Sequence, residues 1–405
     1  MRRTFTAALF AGAVAAAAVT TTIPAQAAPA ETGYIVVLRD TADARSVASE
    51  HAREQGADVT HTYTHAIHGY SARMSPTAAA RIQQDSRVLL VQRDGVVTTD
   101  AQSTPTGINR ADAELSPTAK INGTDERVNV DVAVIDTGID LDHADLNVNT
   151  AGAKNCSTGS SADDGNGHGT HVAGTIGALD NSSGVVGMAP GARVWPVRVL
   201  NNAGSGTWSD VICGIDYVTA HANEIEVANM SLSGAGTDSA CGTNQDAMHE
   251  AICNSVAAGV TYAVAAGNDT DNAANHLPAA YDEVITVSAL ADFNGQPGGG
   301  AAATCRSDVD DTIADFSNYG ADVDIMAPGV CIESTWKGGG YSTISGTSMA
   351  SPHVAGGAAL YKATHPTASP STVKAALQAA GTTNYSWPAG DPDGIQEKLL
   401  NVSTF

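Results

Sequence analysis

The sequence predicts an α/β protein: a mostly parallel sheet covered by helices on both faces, preceded by a small α+β unit. Three observations carry this. After residue 100, five near-continuous runs of β-branched and small apolar residues alternate with helical stretches, the texture of strands buried on both faces. The first hundred residues have a shorter rhythm of strands and helices. Composition is that of a folded, turn-rich chain, with 405 residues, 43% hydrophobic, 16% charged and 41 glycines.

In chain order, Met1-Arg2-Arg3, an apolar run over 7–19 and Pro24-Ala25-Gln26-Ala27 make the three parts of a secretory signal over 1–27, cleaved after Ala27. The apolar run is shorter than the about 20 residues of a spanning helix, and no later stretch is long and apolar enough. A secreted, extracellular chain with no membrane partner is therefore expected. Within 28–100, strands are expected at 34–38 and 68–72, a helix at 41–55, a Ser75-capped helix over 75–84 with Pro76 in its first turn, and a strand or two over 88–97. Four histidines, His51, His61, His65 and His68, fall here and are read as solvated.

From 101 onward, strands are expected at 130–135, 192–199, 227–232, 260–265 and 284–289. Helices are expected at 168–177, 208–222, 245–258, 348–364 and 371–379. Residues 296–315, with three successive glycines and several aspartates, read as a long loop carrying Cys305, a solvated acidic loop in preference to a second, weaker calcium site.

The net charge of −23 is unevenly placed. Residues 1–100 hold nine Lys and Arg against nine Asp and Glu, so the whole excess lies after Asp100. Such a surface repels phosphate backbones and argues against nucleic acid as a partner, while calcium and neutral or basic substrates remain compatible. All six cysteines (Cys156, Cys213, Cys241, Cys253, Cys305, Cys331) lie in the acidic part. An even count in an exported chain points to disulfides; 15 connectivities are open, and pairing in sequence order is the working choice among them. No CxxC spacing supports zinc.

Three segments place a reactive side chain at a junction of strand, loop and helix. Val132-Ala133-Val134-Ile135-Asp136 ends an apolar strand in a carboxylate, where open α/β sheets carry their sites. Asp164-Gly165-Asn166-Gly167-His168-Gly169-Thr170-His171 flanks a histidine with glycines that admit close backbone approach; His168 and His171 could instead hold a metal, although the H-E-x-x-H arrangement is absent. Gly346-Thr347-Ser348-Met349-Ala350-Ser351-Pro352 opens a helix with Ser348, where backbone N–H groups stabilise an oxyanion, and puts Pro352 in the first turn.

The chain order Asp, His, Ser differs from that of α/β-hydrolases and of chymotrypsin, and residues 101–402 resemble the subtilisin-like serine protease family, in which this order is known. The resemblance implies a subtilisin-like catalytic domain over 101–405, with Asp136 orienting His168, His168 as general base and acid, and Ser348 as nucleophile. It implies Asn268, in Ala265-Ala266-Gly267-Asn268, as an oxyanion donor. Gly204, Ser205 and Gly206 on one side and Ser231, Leu232 and Ser233 on the other would clamp an extended polypeptide substrate. Ala265, Ala266 and Gly267 would wall a roomy, apolar pocket for the residue before the cut. Ser233 stands where the family usually has glycine, and 269–278 is hard to align.

The same resemblance implies a structural calcium site. Gln102, Asp145 and Asn181 would ligate through side chains and Leu179, Ser183 and Val185 through carbonyl oxygens, all hard donors suited to Ca2+. No catalytic cofactor is implied. Residues 28–100 resemble the family's inhibitory propeptide and folding chaperone, a transient inhibitor whose tail 96–100 occupies the cleft until self-cleavage near Asp100. The expectation is a monomeric secreted serine endopeptidase. Its competitors are a catalytically silent binding module of the same fold and an esterase using the same triad.

Overall fold

The computed structural model describes residues 32–95, 101–243, 245–387 and 391–405. The signal segment 1–27 and the tail 96–100 lie outside them. The chain divides into two units, 1–98 and 99–405, each with its own core.

In the first unit, β1 (Thr32–Leu38), α1 (Ala44–Gln55), β2 (Asp58–Tyr63), β3 (Gly69–Met74), α2 (Pro76–Ile82) and β4 (Val88–Arg93) build an antiparallel sheet in the order β2-β3-β1-β4. The expected helix at 41–55 starts later, because the Asp43 carboxylate accepts the Ser46 N–H and caps it there. Strand β2 went unforeseen; its mixed polar sequence has a mostly exposed face. Alternate residues Tyr34, Val36 and Leu38 face the helices with Val47, Ala48, Tyr70 and Ile82. His51 is not solvated as expected: it is 4% exposed, with Nδ1 2.6 Å from the Tyr70 hydroxyl and Nε2 3.0 Å from Asp85. His61 and His65 are exposed.

In the second unit the described elements are α3 (Thr106–Arg110), β5 (Asp131–Asp136), β6 (Lys154–Asn155), α4 (His168–Gly177), β7 (Arg193–Arg198), α5 (Trp208–Ala220), β8 (Val227–Met230), β9 (Gly234–Ala235), α6 (Ala247–Ala257), β10 (Thr261–Ala265), β11 (His276–Leu277), β12 (Ile285–Ala291), β13 (Thr312–Ile313), β14 (Ile325–Pro328), β15 (Ile332–Trp336), β16 (Gly340–Ile344), α7 (Thr347–Thr364) and α8 (Pro370–Ala380). The main sheet runs β13-β12-β10-β8-β5-β7-β6, with β14 also on β12, and every pair is parallel except β12 with β13.

Alternation along the strands splits the core in two. Val132 and Val134 pack with Val172 and Ile176 of α4 and with Val354 and Ala358 of α7, whereas Ala133 and Ile135 pack with Val211 and Ile215 of α5 and Ile252 of α6. Helices thus cover both faces, as the continuous apolar strands require. The disulfides are Cys156–Cys213, Cys241–Cys253 and Cys305–Cys331, which is the sequence-order pairing.

Two expectations change. The loop 296–315 is a solvated acidic loop only in part: residues 302–307 and Asp315 are exposed. Asp310 accepts the Phe293 and Ala301 N–H groups, and Asp311 accepts the Arg110 guanidinium and the Gly298 and Gly299 N–H groups, so these two carboxylates turn inward and pin the glycine run. Pro352 falls in the second turn of α7 rather than the first, because the helix already begins at Thr347.

Candidate active site

Strand β5 delivers Asp136 fully buried at its carboxyl end, and α4 starts at His168. Asp136 Oδ1 lies 2.8 Å from His168 Nδ1 and also accepts the Thr137 N–H at 2.7 Å. The approach is close enough to demand Gly169, where a Cβ would stand 2.1 Å from the Gly138 carbonyl oxygen. Gly167 adopts φ 113°, and a side chain there would meet Trp336.

Burial disfavours the imidazolium, but the charge and hydrogen bond of Asp136, helped by Asp164, outweigh it and hold His168 above its ordinary pKa. With Nδ1 committed to Asp136, Nε2 is the nitrogen available to a substrate proton. His171 has a different task. Its Nε2 meets the carbonyl oxygens of Ile332 and Ser342 at 2.9 and 3.2 Å, and burial pushes its pKa down to about 3. The two histidines therefore do not form a metal pair.

Ser348 is the second residue of α7, at the helix end where N–H groups and the dipole favour negative charge. Its Oγ makes only a long contact, 3.4 Å, to the Ser231 carbonyl oxygen. Asn268 Oδ1 accepts the Thr347 N–H at 2.8 Å and hydroxyl at 3.0 Å. This fixes the amide and leaves its N–H groups as donors beside Ser348.

His168, Asn268 and Ser348 open on one cavity of about 1030 Å³. Gly204, Ser205 and Gly206 line one side, and Ser231, Leu232 and Ser233 another, with Ala265 and Gly267 between. Ala266 does not line it as expected: in extended chain the middle residue points the other way, and Ala266 is fully buried against Ala273, Ala279 and Val323. Nor is the pocket purely apolar, since Asp269 and His276 also line it.

Two groups gained no role from the sequence. Asp164, 5% exposed, accepts from the Thr137 hydroxyl, the Asn166, Gly167 and Thr170 N–H groups and the Thr170 hydroxyl. Thr137 Oγ1 in turn accepts the Gly169 N–H, so one carboxylate joins the end of β5 to the start of α4. Its place four residues before His168, beside glycines, was the only signal. Asn229, fully buried on β8, donates to Ser231 Oγ and accepts from Ser351 Oγ.

The six residues expected to hold calcium come together. Gln102 Nε2 donates to the carbonyl oxygens of Leu179 (2.6 Å) and Val185 (3.2 Å). Asn181 Nδ2 donates to Asp145, as does the Val185 N–H, and Asn181 Oδ1 accepts the Ser183 N–H. Burial pushes the Asp145 carboxyl above the usual carboxylate range, against the bonds from Val185, Asn181 and Tyr341. A buried carboxylate beside convergent carbonyl oxygens is a hard, oxygen-only donor set that fits a divalent cation of the calcium type. Elsewhere, His249 and Glu283 lie beside the Cys241–Cys253 bridge, whose sulfurs are bonded to each other and are not thiolate ligands.

Residues 128–394 match the model of the Subtilase family, and residues 33–100 match that of Peptidase inhibitor I9. Subtilisin NAT of Bacillus subtilis subsp. natto is 37% identical over 357 residues, covering 87% of this chain and 86% of that protein. The extracellular serine proteinase of Thermus sp. (strain Rt41A) is 39% identical over 342 residues, covering 83% and 76%. The crystal structure of a cold adapted subtilisin-like serine proteinase aligns with a TM-score of 0.56 at 34% identity, covering 72% of this chain and 97% of that one.

Proposed function

The chain belongs to the subtilase family, as a serine endopeptidase that carries an I9 inhibitor domain, and from that premise we propose that it is a secreted enzyme cutting extended polypeptides through an acyl-enzyme on Ser348. The observation that supports this most directly is the opening of His168, bound to Asp136, on the same cavity as Ser348 and Asn268.

In this reading Ser348 Oγ attacks the scissile carbonyl carbon as His168 Nε2 takes its proton. Asp136 stabilises the imidazolium, and the Asn268 amide and Ser348 N–H donate to the oxyanion. The C–N bond then breaks as His168 returns the proton to the leaving amine, and water repeats the sequence on the ester. Loss of the Asn268 donor lowers turnover by about 10²–10³. Strand-like clamping by 204–206 and 231–233 suits peptides better than small esters.

Residues 28–100 act in the proposal as folding assistant and transient inhibitor, removed by self-cleavage near Asp100. Gln102, Asp145, Asn181 and the carbonyl groups of Leu179, Ser183 and Val185 hold calcium, which when bound supplies positive charge that ties these loops together. The test is expression of residues 28–405 with calcium under oxidising conditions, as wild type and as Ser348→Ala. Wild type should shorten to a form starting near Ala101 and degrade denatured casein, while Ser348→Ala stays full length and inert. A folded wild type that neither shortens nor cuts casein replaces this reading with the silent binding module.

A further inference from the structure

We propose that the pocket beside Ser348 selects a basic side chain on the residue before the cut, and rejects an acidic one, through Asp269, Asp271 and His276; this rests on the protease reading above. Strand β9 pairs antiparallel with β11, setting Ala235 opposite His276 and Gly234 opposite Leu277. The pairing brings the His276 ring to the cavity that Ala265 and Gly267 line from one side and Ser231 to Ser233 from the other.

His276 is 8% exposed and sits between two carboxylates, with Nδ1 3.6 Å from Asp269 Oδ2 and Nε2 3.2 Å from Asp271 Oδ2. With two acids and one imidazole, the trio is negative whether or not the ring is protonated. Its geometry is held from behind. The fully buried Asn318 accepts the N–H groups of both Asp269 and Asp271 on its Oδ1, at 2.9 and 3.1 Å, and donates to the Ala266 carbonyl. Asn275 Nδ2 also ties down Asp271 Oδ2 at 3.1 Å.

Among the described residues lining the cavity, none is Lys or Arg, and the only ionisable groups besides His168 are Asp269 and His276. The adjoining cavity of about 530 Å³, which shares Trp208 with the first, carries Asp238 and Asp246 and again no Lys or Arg among its described lining. Ala265 and Gly267 give the cavity a small, apolar stretch of wall. A lysine or arginine can lay its methylene stem along Ala265 and Gly267 and set its cationic head beside Asp269. A glutamate would bring a third negative charge to the same place.

The test uses processed enzyme and tetrapeptide anilides with lysine, phenylalanine or glutamate before the scissile bond. Wild type should prefer lysine over glutamate in kcat/KM by about tenfold, Asp269→Asn and Asp271→Asn should each narrow the ratio about two- to threefold, and salt at about 1 M should narrow it too. Asp125→Asn, which removes an exposed acid paired with Arg127, is the control for net charge and should leave the ratio as in wild type. A wild-type ratio near unity, or one unmoved by both asparagine variants, overturns the pocket assignment and leaves the protease standing if the phenylalanine peptide is cut. If folded, processed wild type cuts none of the three peptides, the protease reading falls and this assignment with it.

Discussion

Ser231 Oγ donates to the main-chain carbonyl oxygen of Ser348 at 2.7 Å. In an unbroken helix that oxygen would accept the N–H four residues later, but residue 352 is proline and has none. A side chain from the cleft edge thus completes the first turn of the helix that carries Ser348. Leaving a buried carbonyl unpaired costs about 1–3 kcal/mol. Ser231→Ala is therefore expected to lower kcat/KM about tenfold or more, with Ser231→Thr recovering part of it. Active-site titration beside the rate assay separates loss of competent molecules from loss of rate.

Asp164→Asn should move the pH profile, because Asp164 contributes to the raised pKa of His168. The general base must be neutral, so activity falls as the pH drops through that raised value, and the acid limb of kcat/KM lies above about 6.5. With the Asp164 charge gone the limb shifts to lower pH, and turnover falls as Thr137, Gly167 and Thr170 lose a shared acceptor. A variant that loses turnover without moving the limb would limit Asp164 to holding the loop.

Acid should destabilise the catalytic unit through histidines that take no part in the chemistry. Burial pushes His171 down to about 3 and His353, whose Nδ1 donates to the Met349 carbonyl, down to about 4. Below about 6.5 the unfolded chain binds protons that the folded one refuses, so their contribution is complete above that pH and declines towards 3 to 4. For His353 alone the full loss is on the order of 3 kcal/mol. Thermal midpoints of Ser348→Ala should fall from pH 7.5 to 4.5, and less steeply when His353→Asn is added.

Chelation should lower the thermal midpoint. Calcium at about 100 times its dissociation constant adds about 2.7 kcal/mol to a state that binds it. Asp145→Asn removes the anionic donor, so its midpoint should respond little to calcium or chelator. An equal response in both proteins would move any calcium effect to another place.

Much of this was legible because local signals and buried-strand texture agree. Helix His168–Gly177 has the bounds expected for it, since glycines precede it and its apolar period is clear. Strand β14 and the hairpin of β15 and β16 were missed: they are short, and β16 alternates half-buried with exposed residues without an apolar run. The side of the chain on which Ala266 falls depends on register, which composition does not carry. The role of Asp164 leaves only a faint trace in one dimension, its place beside glycines before His168, because its acceptors serve Thr137, 27 residues away, as well as its neighbours. His276 reached the pocket through the pairing of β9 with β11, a two-residue ladder that leaves no mark in the sequence, whereas Asp269 comes to it as the direct neighbour of Asn268.

The Cys156–Cys213 bridge joins residues 57 positions apart, and within that interval lie His168, the whole of α4 and the cleft edge at 204–206. A proteolytic molecule crowded among its own copies meets them as substrates, and the first injury is a single cut in an exposed loop such as 157–161. Inside this interval one such cut leaves both new ends on one covalent body, with α4 still packed in the core. The nick would then show on a gel only after reduction, and His168 and residues 204–206 would stay where they are until a second event released the fragment.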